Sequence, residues 1–279
     1  MKTLIGIPVY KKMDSNFVRL IASIKDYTEG EYFLYVPVSG RSHSVQVNDC
    51  IVTAKIMRAD YLCVIDADAW FDEKSIGWLQ KYENCLTHNS DYGLLMWSND
   101  YQPNNHSPQY ADESQSTPYI ASILWFYRIS NNIWWDENYL YHQSSDVDFV
   151  REHRRHGIKT GYIPSVHINH LWDHNPSTHQ HYERWKRLNE QTFLEKWGTT
   201  CHSQEFEIDK RNKFRGIYGR PELDLLIDVS DQHKQIVSYF DENPLFSNDI
   251  QYITKNNIPW DQYYDTQELQ KLSWRFTMD

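Results

Sequence analysis

The chain has 279 residues, of which 40% are hydrophobic and 24% are charged, so it is long enough and apolar enough to bury a substantial core. Its formal net charge of −10 argues against a general nucleic-acid binder, which needs a basic field. The 11 Trp and 20 Tyr give a high aromatic share, which fits a large core and equally fits a surface that packs against sugar rings or nucleobases.

The sequence contains no pattern typical of export or of membrane insertion. Residues 1–13 lack the apolar core of a signal peptide, and no stretch approaches the ~18 uninterrupted apolar residues of a membrane span. The cysteines lie far apart, form no CxxC pair and fall mostly in apolar segments, as buried thiols do. They are Cys50, Cys63, Cys85 and Cys201. We therefore expect a cytoplasmic protein with no membrane partner.

The first hundred residues alternate between strand and helix patterns. Apolar runs predict strands at 3–8, 32–38, 61–65 and 92–97. Between them, apolar residues at helical spacing predict helices around Leu20, around Ile51, and from Ser75 through Ile76 and Leu79. This order predicts an α/β fold with a doubly wound, mostly parallel sheet and helices on both faces.

Asp66-Ala67-Asp68 directly follows the third predicted strand. Side chains two residues apart in an extended segment point to the same side, so both carboxylates can face one cation. Hard oxygen ligands suit Mg²⁺ or Mn²⁺, ions that also bridge diphosphate oxygens. Ligands of such sheets bind beyond the carboxyl ends of the strands, which favours a metal site over the alternative of two acids that merely end a strand.

The second half of the chain alternates less clearly. A polar segment at 98–118 with three prolines predicts a long loop, either a functional flap or an insertion. Strands are predicted at 119–127 and 159–164. Helices are predicted at 145–156 and 182–197, ended by Gly157 and Gly198. Beyond residue 200 no alternation is clear.

A second Asp-x-Asp, Asp146-Val147-Asp148, begins one of these helices. Free backbone N–H groups and the helix dipole stabilise a carboxylate there, so capping accounts for one of the two acids but not obviously for both. Near a donor sugar, one of them could act as a general base toward an acceptor hydroxyl.

Histidines are concentrated in the loop after the last predicted strand. His167, His170, Asp173 and His174 lie within eight residues, and taken alone they could bind a transition metal.

The order of these features resembles that of the family 2 glycosyltransferases of GT-A fold, especially the short soluble members of bacteria and their phages. Residues 5–10 (IGIPVY) are similar to the family's opening strand and P-x-Y turn, and residues 44–48 with 59–68 (ADYLCVIDAD) to its aRN helix, adY strand and DxD. Downstream, residues 135–137, 145–149 and 193–198 resemble its FDE, EDvDf and F-x-x-KWG motifs. The resemblance covers residues 1 to about 198 and depends on motif order and spacing.

The resemblance implies a metal-dependent, inverting transfer of a sugar from a nucleotide-sugar donor, by default a UDP-sugar, to an acceptor hydroxyl. Asp68, with help from Asp66, would hold Mn²⁺ or Mg²⁺ and the donor diphosphate. His170 would be a third metal or phosphate contact, and Asp146 would be the catalytic base. The residues implied to contact the donor are Pro8, Val9, Tyr10, Asn48 and Asp66.

It also implies a domain division. Residues 1–198 would form the catalytic domain, with a nucleotide-sugar-binding half at 1–100 and an acceptor half at 101–198, and residues 199–279 would be an extension of unknown role.

The sequence departs from the family pattern in three places. Ser145 replaces the Glu beside the base, and Val47 replaces the Arg of the aRN helix. Residues 36–40 lack the acidic pair that often reads the nucleobase, so the donor nucleotide stays open.

The identity of the acceptor also stays open, and so do two alternative functions. A glycan or a small metabolite suits the acidic charge, and a hydroxymethylated DNA base ranks lower because of that charge. One alternative function is a metallohydrolase built on the histidine cluster. The other is a non-catalytic carbohydrate-binding protein, for which Ser145 is the best support.

Overall fold

The computed structural model describes residues 2–9, 15–38, 42–111, 120–139, 144–171, 182–201 and 252–254. Within these ranges the helices are α1 (Ser15–Tyr27), α2 (His43–Ile56), α3 (Trp78–His88), α4 (Ser145–Arg155) and α5 (Tyr182–Trp197). The strands are β1 (Thr3–Gly6), β2 (Tyr32–Val38), β3 (Tyr61–Ile65), β4 (Ala69–Trp70), β5 (Tyr92–Ser98), β6 (Gln109–Tyr110), β7 (Ile120–Arg128), β8 (Lys159–Tyr162), β9 (Asn169–His170) and β10 (Tyr252–Thr254).

The central sheet of the described residues has the strand order β10-β2-β1-β3-β7-β5-β8-β6. β1 pairs in parallel with β2 on one side and with β3 on the other. The β1–α1–β2 connection therefore leads to the neighbour on one side of β1. The β2–α2–β3 connection runs in the opposite direction along the sheet, past β1 to its other neighbour. Because such crossovers are right-handed, α1 and α2 lie on opposite faces. The predicted α/β fold with a doubly wound, mostly parallel sheet is confirmed.

β7 is the strand whose direction the sequence pattern did not predict. It lies between β3 and β5 and runs antiparallel to both. The β5–β7 connection contains no helix among its described residues 99–111. A parallel neighbour needs a long crossover, usually helical, so a connection without one allows the chain to reverse.

The core lies at β1, β3 and α2. Leu4 and Ile5 of β1 and Leu62 and Val64 of β3 have no exposed surface. These strands are covered on both faces, which is why they are continuous apolar runs and do not alternate. Most of α2 is also buried, including the polar residues of its first turns: His43, Ser44, Gln46 and Asn48.

The helix predicted from Ser75 begins instead at Trp78. Asp72 and Ser75 form a capping box around a 3-10 turn at Glu73–Ser75. Gly77, at a left-handed φ of 71°, then redirects the chain into α3. Ile76 was expected on the buried helical face and is 52% exposed, because it lies in this turn.

The polar segment at 98–118 was predicted to be a loop. Its described part, residues 98–111, lies along the edge of the central sheet. β6 pairs antiparallel with β8. The Gln102 N–H donates to Pro164 O at 2.7 Å, and the Ala111 N–H donates to Thr160 O at 3.1 Å. Residues 112–119 lie outside the described residues.

β10 comes from the segment predicted as a C-terminal extension, and it pairs in parallel with β2. All four cysteines are free thiols, and Cys50, Cys63 and Cys85 are buried as predicted. Among the helices described here, none combines the length and the apolar character needed to cross a bilayer.

Gly6 should not tolerate a side chain, because a Cβ there would lie 2.6 Å from Cys50 Sγ of α2. Overpacking of this kind costs about 1–3 kcal/mol, so Gly6→Ala should lower the free energy of unfolding by that amount in urea titrations. Adding Cys50→Ala removes the nearer clash, so the double variant should lose less than the sum of the two single losses. Strictly additive losses would contradict this contact.

Candidate functional site

Asp66 and Asp68 lie where β3 leaves the central sheet. The β3–β7 ladder extends one residue beyond β3, since the Asp66 N–H donates to Ile123 O at 3.0 Å. The chain then turns, and the Ala69 N–H donates to Asp66 O at 3.1 Å as β4 begins. Backbone hydrogen bonds on both sides therefore fix the two acids at the carboxyl end of a buried strand.

His170 reaches these acids through a second, two-stranded sheet. β4 pairs antiparallel with β9, with Ala69 opposite His170, and the Leu171 N–H donates to Asp68 O at 3.2 Å. This pairing brings His170 Nε2 to 3.2 Å from Asp68 Oδ1. Two segments about a hundred residues apart in the sequence thus meet at one point.

Asp66, Asp68 and His170 have the donor set and the spacing of a cation site. One ligand atom from each lies within 4.8 Å of the others, and all three side chains are partly exposed. Two carboxylates suit Mg²⁺ or Mn²⁺, and the imidazole nitrogen adds a preference for a transition metal such as Mn²⁺. The residues present fit the predicted Mn²⁺ or Mg²⁺.

Negative charge is concentrated at this point. Although 33% of the Asp66 side chain is solvent-accessible, surrounding protein atoms desolvate its carboxylate. That desolvation, and then repulsion from Asp68 and Asp146, holds the pKa of Asp66 well above its usual range. A cation would relieve this repulsion. The interaction also places Asp146, the predicted base, within electrostatic reach of the cluster.

The two acids of the second Asp-x-Asp differ in environment. Asp146 lies in the first turn of α4 and is only partly buried. Asp148 is fully buried, accepts from the Trp197 indole N–H at 2.6 Å and lies 2.5 Å from Lys196 Nζ. Asp148 therefore anchors α4, whereas Asp146 adds to the negative charge that acts on Asp66.

Lys196 of α5 is the centre of a buried ionic network. It lies 3.4 Å from Asp136, 2.5 Å from Asp148 and 3.2 Å from Glu152, and all four side chains are at most 2% exposed. Residues 193–198 were matched to the F-x-x-KWG motif without a role. In the structure they connect α5 to the start of α4.

Burial and the repulsion of Asp136 and Glu152 outweigh the attraction of Lys196 and raise the pKa of Asp148 to about 7. Asp148 therefore titrates near neutral pH.

Two of the residues predicted to contact the donor, Pro8 and Val9, lie along the same edge of the sheet. Pro8 and Val9 extend β1, and the Val9 N–H donates to Pro37 O and to Gln46 Oε1, both at 3.1 Å. Because β1 and β3 are parallel neighbours, Pro8 and Val9 lie at the same edge as Asp66. Tyr10 lies outside the described residues.

Asn48 has a structural role that the sequence did not indicate. Its amide donates to Trp135 O at 2.9 Å and to Glu137 Oε1 at 2.8 Å, and it accepts from the Trp135 N–H at 3.0 Å. These bonds hold the 133–139 segment against α2. A direct contact of Asn48 with a nucleotide stays a prediction, since its amide is occupied by protein here.

The predicted histidine cluster does not converge over its described residues. His170 contacts Asp68, whereas His167 Nε2 lies 3.6 Å from Asp72 Oδ2 and its ring packs against Tyr101. Asp173 and His174 lie outside the described residues.

The sequence reasoning missed His43, whose Nε2 lies 3.9 Å from Asp66 Oδ1. A single histidine at the start of a helix carries no pattern that would have indicated this proximity.

Comparison with known proteins finds similar folds at low identity. No family model matches the chain, and no curated protein matches it. Among solved structures it is similar to A197 from STIV, with 16% identity, a TM-score of 0.40 and coverage of 62% of this chain and 87% of that one. S. aureus TarS 1–349 in complex with UDP is 10% identical, with a TM-score of 0.42 and coverage of 90% of this chain and 76% of that one.

GalNAc-T7 with UDP, GalNAc and Mn²⁺ is 12% identical, with a TM-score of 0.45. The match covers 88% of this chain and 56% of GalNAc-T7. At such identities and with TM-scores below 0.5, these similarities say nothing about the reaction.

Lys196→Met should strongly destabilise the fold, because it leaves buried carboxylates without their cation. Breaking a buried pair in this way typically costs about 3–5 kcal/mol, measurable by urea unfolding. Lys159→Met removes an exposed lysine paired with Asp91 at 2.6 Å and serves as the matched control, for which we expect little change. Equal losses in the two variants would contradict the role of Lys196.

The raised pKa of Asp148 predicts a pH dependence of stability. Between the unfolded value of about 3.9 and the folded value of about 7, the folded state binds more protons than the unfolded state. Stability should therefore fall as pH rises through this window and level off above it. Asp148→Asn should flatten the dependence between pH 5 and pH 8 in urea unfolding. An unchanged slope in the variant would show that Asp148 does not titrate there.

Proposed function

We propose that this chain is a metal-dependent glycosyltransferase of GT-A type that moves a sugar from a nucleotide-sugar donor to an acceptor hydroxyl. The observation that carries the proposal is the convergence of Asp66, Asp68 and His170 at the carboxyl end of β3, with Asp146 close enough to perturb Asp66. The order of the sequence motifs, which resembles family 2 enzymes, supports the same function.

Asp68, Asp66 and His170 would hold Mn²⁺ or Mg²⁺ against the donor diphosphate. A cation bound there supplies positive charge where negative charge develops on the leaving diphosphate. The site suits that task because its acids lie at the edge of the sheet, beyond the carboxyl ends of β1 and β3, where doubly wound folds bind their ligands.

Asp146 would be the general base. It would take the proton of the acceptor hydroxyl as the oxygen attacks the anomeric carbon, and the bond from that carbon to the diphosphate would break with its electron pair leaving on the diphosphate. One displacement of this kind inverts the anomeric configuration. Support for the role comes from the solvent access of Asp146 and from the anchoring of its helix by Asp148.

The donor and the acceptor are proposed by class. A UDP-sugar is the default donor, and Pro8, Val9 and Tyr10 would lie against its nucleotide. A glycan or a small metabolite is the favoured acceptor, since a net charge of −10 opposes binding to DNA that carries a modified base. A cytoplasmic location fits the free thiols of the chain.

Over the described residues the metallohydrolase alternative has less support, because His167 and His170 contact different acids. The carbohydrate-binding alternative differs from the proposal because it requires neither Asp146 nor turnover of a donor.

Two substitutions test the metal site and the base separately. A thermal-shift panel of nucleotide sugars, with and without Mn²⁺, identifies the donor, since a ligand at ~100 times its Kd adds about 2.7 kcal/mol of stability. Asp68→Asn should lose the Mn²⁺-dependent shift. Asp146→Asn should keep that shift and lose on the order of 10²–10⁴-fold in turnover, followed as release of nucleoside diphosphate.

Asp91→Asn, which removes an exposed carboxylate from the Lys159 pair, is the matched control and should behave as wild type. Wild-type turnover in both site variants would overturn the assignment. Glycan binding that is unaffected by Asp146→Asn, with no turnover of any donor by the wild type, would favour the carbohydrate-binding alternative.

A further inference from the structure

His43 is a buried side chain beside the acidic cluster that has no assigned role. It is the first residue of α2, directly after the N-cap Ser42, whose Oγ accepts from the Val45 N–H at 3.3 Å. Its side chain is 6% exposed, and Nε2 lies 3.9 Å from Asp66 Oδ1. The polar edge of a buried imidazole therefore faces one oxygen of a predicted metal ligand.

The surroundings of His43 hold its ring in place. The ring packs edge-on against Trp135, with centroids 5.1 Å apart and an interplanar angle of 76°. Trp135 is in turn fixed to α2 by Asn48, which donates to its carbonyl oxygen and accepts from its N–H. Close packing of Cys50 against Gly6 sets the distance between α2 and β1. The imidazole thus has little freedom to move away from Asp66.

We infer that His43 is a positioning residue for Asp66: its Nε2–H attracts Oδ1 and orients the carboxylate so that the other oxygen faces the cation. This inference rests on the proposed metal site. At 3.9 Å the two atoms are beyond hydrogen-bond distance and attract electrostatically, and the carboxylate can turn toward Nε2 about its broad terminal torsion. Partners of this kind behind a metal ligand typically contribute 10–100-fold to metal affinity.

His43 would act through Asp66 and not as a ligand itself. The ligand atoms that lie within 4.8 Å of one another belong to Asp66, Asp68 and His170. An N–H donor at Nε2 exists in the imidazolium and in one neutral tautomer, so the role does not require His43 to be charged.

Two amide substitutions separate the hydrogen-bond donor from the volume of the ring. His43→Gln places an N–H close to the position of Nε2, whereas His43→Asn reaches only as far as Nδ1. The readout is the Kd of Mn²⁺ for the full chain without nucleotide, obtained from the electron paramagnetic resonance signal of free Mn²⁺. We expect His43→Asn to weaken binding by about 10–100-fold and His43→Gln by no more than about threefold.

His153→Asn is the matched control. His153 of α4 is another buried histidine in edge-on contact with an aromatic ring, Phe149, at a centroid distance of 4.6 Å. Its ring packs in the core against Tyr127 and Phe149. The control should leave the Kd of Mn²⁺ unchanged, and melting curves identify any variant that is unfolded at the assay temperature.

The outcomes separate this inference from the proposed function. If Asp68→Asn abolishes Mn²⁺ binding while His43→Asn binds as wild type does, the inference is wrong and the metal site stands. If His43→Gln is as weak as His43→Asn, the ring acts by packing, which also overturns the inference. If Asp68→Asn itself leaves binding unchanged, the proposed site is wrong.

Discussion

The pairing of β4 with β9 is the constraint on which the candidate site depends. β3 delivers Asp66 and Asp68 to the edge of the central sheet, but acids alone at a strand end are common. Only the short antiparallel pairing, with Ala69 opposite His170 and a further hydrogen bond from Leu171 to Asp68, adds a nitrogen ligand from a distant segment. The ladder between β3 and β7 supports the other side of the turn. The central sheet therefore provides the position, and the small sheet completes the donor set.

The distribution of charge divides the acids of the protein into two kinds. Asp136, Asp148 and Glu152 are buried around Lys196, which supplies the opposite charge within the protein. Asp66, Asp68 and Asp146 are partly exposed, and Asp66 is repelled by the other two. Removing the internal cation would leave these buried carboxylates without a partner, which is costly, so they hold α5 against α4. Mutually repelling carboxylates in a solvent-accessible position are suited to an external cation and to proton transfer, and they are the typical composition of a functional site.

Most of the first half of the fold could be predicted, because strands covered on both faces are continuous apolar runs and the helices between them show their periodicity. The direction of β7 could not be predicted, since nothing in residues 120–128 distinguishes a parallel from an antiparallel neighbour. The start of α3 was misplaced because the capping residues Asp72 and Ser75 serve a 3-10 turn that ends before the helix. Apolar periodicity says little about a turn of three residues.

The candidate site was predictable to the extent that its residues follow recognisable elements. Asp66 and Asp68 end a strand, and Asp146 begins a helix. The contacts of His43, Asn48 and Lys196 depend on which helix packs against which turn, and sequence spacing does not contain that information. Asp148 was ambiguous for the same reason, because its partners Trp197 and Lys196 come from a helix almost fifty residues away.

The two-residue length of β4 and β9 has a consequence for dynamics. So short a ribbon can detach without unfolding the central sheet, so its opening free energy is expected to lie well below that of global unfolding. A cation bound by His170 of β9 and by Asp66 and Asp68, which directly precede β4, would oppose that separation. Cation binding and the pairing of β4 with β9 would then be thermodynamically linked, so the fraction of molecules with a paired ribbon would rise with the occupancy of the site.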